Sequence, residues 1–273
     1  MKRALLNCLF VILIFCLTQL IGGIAVAPFY LFDIDTTTVL GAILIIANLL
    51  SVFLVWKLLK MIEFQHCFQT INLKLLPSIS AVVAGLAGSM VLNILSEQMD
   101  LPDLMEEQML ELSNNFFGII GISLIGPICE ELLFREAILG HLRRHGFSPW
   151  KAIAVSAFLF GLLHMNPAQI PFAMMMGVFF GFIYCKTGNI VLTCIVHIIN
   201  NSLSVLEMIW LGDESIDITI QDLLGGIQNT VLFGVVCMAL CIAGFWYFNK
   251  LQPFVCSTSC QGGEEHEDVS GEV

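Results

Sequence analysis

Residues 128–144 have the sequence ICEELLFREAILGHLRR, an apolar stretch interrupted by charge. Its acidic and internal basic side chains are Glu130, Glu131, Arg135 and Glu136. The apolar run begins at Phe116, so 116–144 is predicted to be a membrane helix with charges in its second half. An ionised side chain near the middle of a membrane costs at least about 2.5–3.5 kcal/mol, so each of these residues is a functional-site candidate.

The helical repeat places the two adjacent carboxylates on different faces of the helix. Successive residues of an α-helix are rotated by about 100°, so residues four apart share one face. Glu131 and Arg135 have this spacing, whereas Glu130 points elsewhere. The arginine is therefore expected to neutralise Glu131 and to leave Glu130 free for chemistry.

The composition is that of a polytopic membrane protein. Hydrophobic residues make up 58% of the 273 positions and charged residues only 12%, which is typical of membrane-spanning chains. The apolar run 4–32 is expected to be an uncleaved first span, because it is too long for a signal peptide. Most of the ten cysteines lie in apolar runs and are expected to be small core residues. No nucleic-acid partner is expected.

The hydropathy pattern predicts an all-α membrane bundle of about eight transmembrane helices. If the N-terminus is cytoplasmic, every Lys and Arg except Arg135 falls on the cytoplasmic side, and the opposite loops are acidic. Both termini are therefore expected to be cytoplasmic. The fifth and sixth predicted spans, 148–164 and 170–184, are short enough to be partly buried half-helices. Gly177 and Gly181 are predicted to allow close helix contact.

The chain is expected to have four parts. They are three N-terminal spans with an acidic loop (1–115), a core of four spans (116–211), a last transmembrane helix (212–251) and a disordered acidic tail (252–273).

Three predicted helices bring polar residues to a similar depth. Counted along the helices at about 1.5 Å per residue, Glu130, His164, His197 and Asn201 lie about 10–20 Å from the cytoplasmic ends. Phe160 is four residues before His164, so it is expected to line the same cavity. Taken singly, each histidine could equally be an interhelical hydrogen-bonding group. Their agreement in depth favours one shared site.

These residues form three motifs, Glu130-Glu131-x-x-x-Arg135, Phe160-x-x-x-His164 and His197-x-x-x-Asn201. Together they resemble the EExxxR, FxxxH and HxxxN motifs of the CAAX-protease and bacteriocin-processing intramembrane endopeptidases, the CPBP or Abi family. The resemblance covers about 116–206. Prenyl-protease members of that family remove the last three residues of prenylated CAAX proteins, and bacterial members are linked to bacteriocin maturation or self-immunity.

The resemblance implies hydrolysis of a peptide bond inside the membrane. Glu130 would act as general base on a water molecule, Glu131 would pair with Arg135, and His164 would orient the water. His197 and Asn201 would stabilise the oxyanion. A zinc arrangement is the alternative, with Glu130, His164 and His197 as ligands and Asn201 as a weak one. The sequence leaves both open, although the lack of an HExxH motif favours the metal-free mechanism; the cofactor is accordingly none or Zn²⁺.

Two other classes of function stay open at this point. A non-catalytic membrane scaffold or immunity protein could keep the same fold, but it would be expected to lose a key polar residue. A secondary transporter would be expected to show an internal repeat, and no second copy of the motifs is present.

The expected partners are membrane lipids and a membrane-associated peptide or lipidated protein substrate. The expected location is a bacterial plasma membrane, with the ER membrane as the alternative. The cavity is expected to open to the cytoplasmic half, where a rim of Arg143, Arg144, Lys151 and Lys186 would attract the substrate.

Overall fold

The computed structural model describes residues 1–31, 35–68, 73–216 and 218–252, without the side chains of Tyr30, Leu31 and His66. Within these ranges the chain forms helices and no strand, which confirms the predicted all-α class. The predicted disordered tail lies outside the described residues apart from Gln252, so its state stays a prediction.

Seven of the described helices are long and apolar enough to cross a membrane, and one further apolar helix is shorter. In chain order they are α1 (Lys2–Phe29), α2 (Thr36–Leu59), α3 (Leu75–Glu97), α4 (Phe116–Arg144), α5 (Pro149–Leu162), α6 (Gln169–Thr187), α7 (Val191–Ile216) and α8 (Ile227–Leu251). The protein is a polytopic helical membrane bundle, as predicted. The short helix is α5, whose length of about 21 Å does not span a hydrocarbon core of about 30 Å.

The two ends of the bundle differ in their polar residues. At one end, Glu97 accepts a hydrogen bond from the backbone N–H of Ile220 at 2.9 Å, and Asn166 donates to Asp103 at 2.7 Å. We call this end, with the acidic segments 97–111, 213–216 and 218–222, the acidic face. The opposite end carries Lys57, Arg144, Lys151, Lys186 and Lys250, and we call it the basic face.

Helices α5 and α6 approach each other closely at two glycines. A Cβ atom on Gly177 would lie 2.9 Å from the Cα of Ala157, and one on Gly181 would lie 3.2 Å from the side chain of Ile153. A larger residue at either position would force the helices apart. This confirms the close contact predicted from the glycine spacing.

Helix α4 is not the regular α-helix that the sequence analysis assumed. It contains two π-helical segments, Gly121–Ile125 and Leu132–Gly140. Pro127 follows the first segment and lacks an N–H group, so the regular hydrogen-bond pattern is interrupted there. In the second segment the Ser156 hydroxyl donates to the backbone carbonyl of Phe134 at 2.8 Å. Short π-helical segments of this kind are frequent at functional sites.

The basic end of α4 is fixed by a buried carboxylate. Glu136 accepts a hydrogen bond from the Tyr184 hydroxyl at 2.6 Å and pairs with Arg144 at 3.0 Å. Arg144 also lies 3.3 Å from a carboxylate oxygen of Glu63. Arg144, one of the four residues of the expected basic rim, thus uses its charge to join α4 to the segment after α2. The attraction of a substrate by the rim stays a prediction.

Candidate active site

Glu131 and Arg135 form a fully buried ion pair. The Nε atom of Arg135 lies 3.2 Å from Oε2 of Glu131, and both side chains are 0% exposed. Separating two such charges in a membrane interior would leave each without a counter-charge. The pairing predicted from their spacing is confirmed.

Aromatic rings complete the surroundings of the Arg135 guanidinium. Its carbon lies 4.3 Å from the ring centre of Phe160 and 5.1 Å from that of Phe180, within the range of a cation–π interaction. The terminal nitrogens of Arg135 have no hydrogen-bond partner among the described residues. Two aromatic faces and one carboxylate therefore hold the cation.

His197 bridges the two glutamates. Its Nδ1 atom lies 3.0 Å from Oε1 of Glu131, and its Nε2 atom lies 3.6 Å from Oε2 of Glu130. The ring of Phe180 stacks on the imidazole at a centroid distance of 5.1 Å. A carboxylate that accepts from one ring nitrogen fixes the tautomer and the orientation of a histidine. Glu131 thus directs Nε2 of His197 towards Glu130.

His164 is oriented by its own helix. Its Nδ1 atom lies 2.9 Å from the backbone carbonyl oxygen of Phe160. A carbonyl oxygen only accepts hydrogen bonds, so Nδ1 must carry the proton. In the neutral ring, Nε2 is then left with its lone pair available to a water molecule or a substrate.

A cavity of about 400 Å³ brings the three motifs together. Its walls include Glu130, Phe160, His164, His197 and Asn201, while Glu131 and Arg135 lie behind the wall. The side chain of Glu130 is 23% exposed, in contrast to the fully buried Glu131. The predicted convergence of these residues on one cavity is confirmed, as is the different environment of the two carboxylates.

The cavity lies in the half of the bundle opposite to the one predicted. From α4 it is lined by residues between the acidic face and Glu130, such as Ile122 and Gly126, and from the acidic connection by Asp103. On the other side of Glu130, every residue of α4 from 131 to 142 is buried. The expected opening towards the basic half was wrong because closely packed, buried residues fill that half.

Asn201 ties α7 to the irregular part of α4. The N–H of Gly126 donates to Gly121 instead of Ile122, and Pro127 has no N–H group to offer. The Ile122 carbonyl is thereby available, and the Asn201 side chain donates to it at 3.1 Å. One of the two side-chain N–H groups of Asn201 therefore donates to this backbone carbonyl, and the other can donate to a group in the cavity.

Sequence reasoning missed several residues of this site. Phe180 contacts both Arg135 and His197, and Asn93 and Gln169 line the cavity. Phe180 lies between the two glycines that bring α6 close to α5, which is the one signal that pointed towards it. Asn93 and Gln169 have no comparable signal, because a single amide in a membrane helix is most often an interhelical contact.

Two observations bear on the zinc alternative. Among the described residues, no three His, Cys, Asp or Glu side chains are grouped as ligands for a metal ion. Nδ1 of His197 faces Glu131 and Nδ1 of His164 faces a carbonyl, and metal-binding histidines are held in the same way through their second ring nitrogen. Zinc held by Glu130, His164 and His197 therefore stays the alternative, and the steps below are written for the metal-free mechanism.

Comparison with known proteins agrees with the motifs. Residues 112–203 match the family model of the Type II CAAX prenyl endopeptidase Rce1-like proteins. This segment is similar to an Rce1-like domain. It contains all three motifs and closely follows the region, 116–206, in which the resemblance was recognised.

Two curated proteins are similar to part of the chain. The protein named Putative membrane peptidase YdiL, from Bacillus subtilis (strain 168), is 33% identical over 89 residues, which cover 32% of this chain and 36% of that protein. The Membrane-embedded CAAX protease MroQ from Staphylococcus aureus (strain USA300) is 33% identical over 97 residues, covering 32% and 38%. The matches thus span little more than a third of each relative. No solved structure shows significant similarity to the chain.

Proposed function

We propose that this protein is an intramembrane endopeptidase in which Glu130 activates a water molecule to hydrolyse a peptide bond. The observation that carries the proposal is the difference between the surroundings of Glu130 and Glu131. Glu131 is held by Arg135 and His197, whereas Glu130 faces the cavity with its carboxylate partly exposed. A carboxylate free of a fixed cation is suited to remove a proton from water.

The first chemical step is attack on the carbonyl carbon of the substrate. Glu130 takes a proton from the water, and the oxygen of the water forms a bond to that carbon. Nε2 of His164 accepts a hydrogen bond from the water and aligns it. His197, whose Nδ1 donates to Glu131, presents the lone pair of Nε2 3.6 Å from a carboxylate oxygen of Glu130, so it does not neutralise that carboxylate.

The second step breaks the bond between carbon and nitrogen. Negative charge builds on the former carbonyl oxygen, and the free N–H of Asn201 is placed to donate to it. Glu130 then returns the proton to the leaving nitrogen. The products are a new carboxylic acid and a new amine, Glu130 is again ionised for the next cycle, and the acid passes its remaining proton to the amine or to the solvent.

The substrate class follows from the family and from the location of the cavity. The protein is an integral membrane protein, so its substrate must be a membrane-associated peptide or protein. The names of its relatives point to CAAX-type cleavage of lipidated proteins, with processing of a bacteriocin-like peptide as the alternative. Since both relatives are bacterial, we place it in a bacterial plasma membrane.

Purification in detergent and a cleavage assay with a membrane-bound peptide library test the proposal. We expect hydrolysis that continues in the presence of a chelator strong enough to remove zinc, because Glu130 can activate the water without a metal. Activity that is lost with the chelator and restored by Zn²⁺ would contradict the metal-free mechanism. Absence of any hydrolysis in a folded sample would contradict the proposed function itself.

A further inference from the structure

The path between the candidate catalytic residues and the basic face is closed. Residues 131–142 of α4 and 181–187 of α6 are all buried. The Glu136, Arg144 and Tyr184 side chains are bonded to one another at the end of this packed region. A chain approaching from the basic face would have to displace both the apolar core and these polar contacts.

The path towards the acidic face is open along the cavity. Six of the eight helices supply its walls, and most of the lining residues lie in the part of the helix nearer the acidic face, as Ser96 does near the end of α3 and Gln169 at the start of α6. His197 of α7 and Phe180 of α6 are on the basic side of their helix midpoints. Asp103, in the acidic connection, also lines the cavity. Glu130 therefore communicates with the acidic face and not with the basic one.

The walls along this path carry neutral amide side chains. They belong to Asn93, Gln169, Asn200 and Asn201, whereas the amide of Asn48 is already bonded to Leu44 and Gln19. Amides in a membrane interior need hydrogen-bond partners, and the backbone of an extended peptide offers alternating donors and acceptors. A saturated lipid tail offers neither. The walls thus match a peptide segment better than a lipid chain.

We propose that the segment to be cleaved reaches Glu130 from the acidic face, as an extended peptide whose backbone hydrogen-bonds these amides. Glu130 lies about 21 Å along α4 from the acidic face, a depth that an extended chain covers in about six residues. The inference rests on the proposed function, and it names the substrate class and the side from which the substrate enters. It replaces the expectation of cytoplasmic access through a basic rim.

Two matched serine-to-cysteine variants test the access route. Ser204 lines the cavity, and Ser148 is exposed at the start of α5 on the basic face. Each variant is made with Cys256 and Cys260 replaced by serine, so that the tail thiols do not react. Vesicles that expose one face of the protein, and vesicles that expose the other, are then treated with a membrane-impermeant maleimide. The protein with only Cys256 and Cys260 replaced by serine serves as the blank.

We expect Ser204→Cys to be labelled only from the side opposite to the one that labels Ser148→Cys. Its labelling should also abolish cleavage of the peptide found in the assay above, whereas labelling of Ser148→Cys should leave cleavage unchanged. Active protein whose Ser204→Cys variant is labelled from the same side as Ser148→Cys, or from neither side, would overturn the access route alone. A wild type that hydrolyses no peptide would overturn the proposed function, whichever side is labelled.

Discussion

The Nδ1 atom of His197 lies 3.0 Å from a carboxylate oxygen of Glu131, although the two residues are 66 positions apart in the sequence. This contact joins the first and third motifs. Because Arg135 holds the other oxygen of Glu131, the imidazole, the carboxylate and the guanidinium form one chain that runs inwards from the cavity wall. Glu130 lies beside this chain, 3.6 Å from Nε2 of His197, and is not neutralised by it.

Loss of Arg135 should destabilise the fold. Arg135→Ala leaves Glu131 as a fully buried charge with His197 and Thr193 beside it but without its cation, and removal of one partner of a buried pair costs about 3–5 kcal/mol. Chemical unfolding in detergent measures this loss. Adding Glu131→Gln to Arg135→Ala should recover part of the stability, since the stranded charge is then gone. A single variant as stable as wild type would contradict the assigned pairing.

The Phe160 ring should contribute to both stability and turnover. Phe160→Leu removes a face from the Arg135 guanidinium and a contact with His164, and a desolvated cation–π interaction contributes about 2 kcal/mol. We expect a lower unfolding free energy together with a lower kcat. Phe158→Leu on the same helix is the matched control, because Phe158 is exposed on the outside of the bundle. Equal effects of the two substitutions would refute the role of Phe160.

Much of the candidate site could be predicted from local spacing. The pairing of Glu131 with Arg135 requires only four residues of one helix, and the common depth of the motifs follows from helix length. The half of the bundle that holds the cavity could not be predicted in this way. Glu130 lies midway between Phe116 and Arg144, so its depth is the same from either face. Only the packing around residues 131–142 decides which side is open.

Contacts between distant segments could also not be predicted from the sequence. Arg144 is separated from its partner Glu136 by eight positions, which is not a neighbouring spacing on a regular helix. The hydrogen bond from Asn166 to Asp103 joins residues 63 positions apart in two connections. A basic residue near a membrane surface predicts topology, but it does not reveal whether its charge is already paired.

The bond from Asn201 to the Ile122 carbonyl yields a prediction that involves Pro127. Asn201→Leu removes the donor, and a buried carbonyl left without a partner costs about 1–3 kcal/mol. Pro127→Ala restores a backbone N–H that continues the hydrogen bonding of the preceding π-helical segment and reaches the same carbonyl. The double variant should therefore be more stable than Asn201→Leu alone, as measured by thermal unfolding. If the stability lost in the double variant equals the sum of the losses in the two single variants, Asn201 and the new N–H at position 127 do not bind the same carbonyl.

The central claim is that Glu130 is the base and that the neighbouring carboxylates are not. Its most direct test is the kcat of Glu130→Gln, measured with the melting temperature of the same sample. We expect kcat to fall by about 10²–10⁴-fold, the range for loss of a general base, with the melting temperature unchanged. Glu136→Gln is the matched control in α4, and it should lower the melting temperature and keep kcat. A Glu130→Gln variant that folds normally and turns over at the wild-type rate would contradict the account.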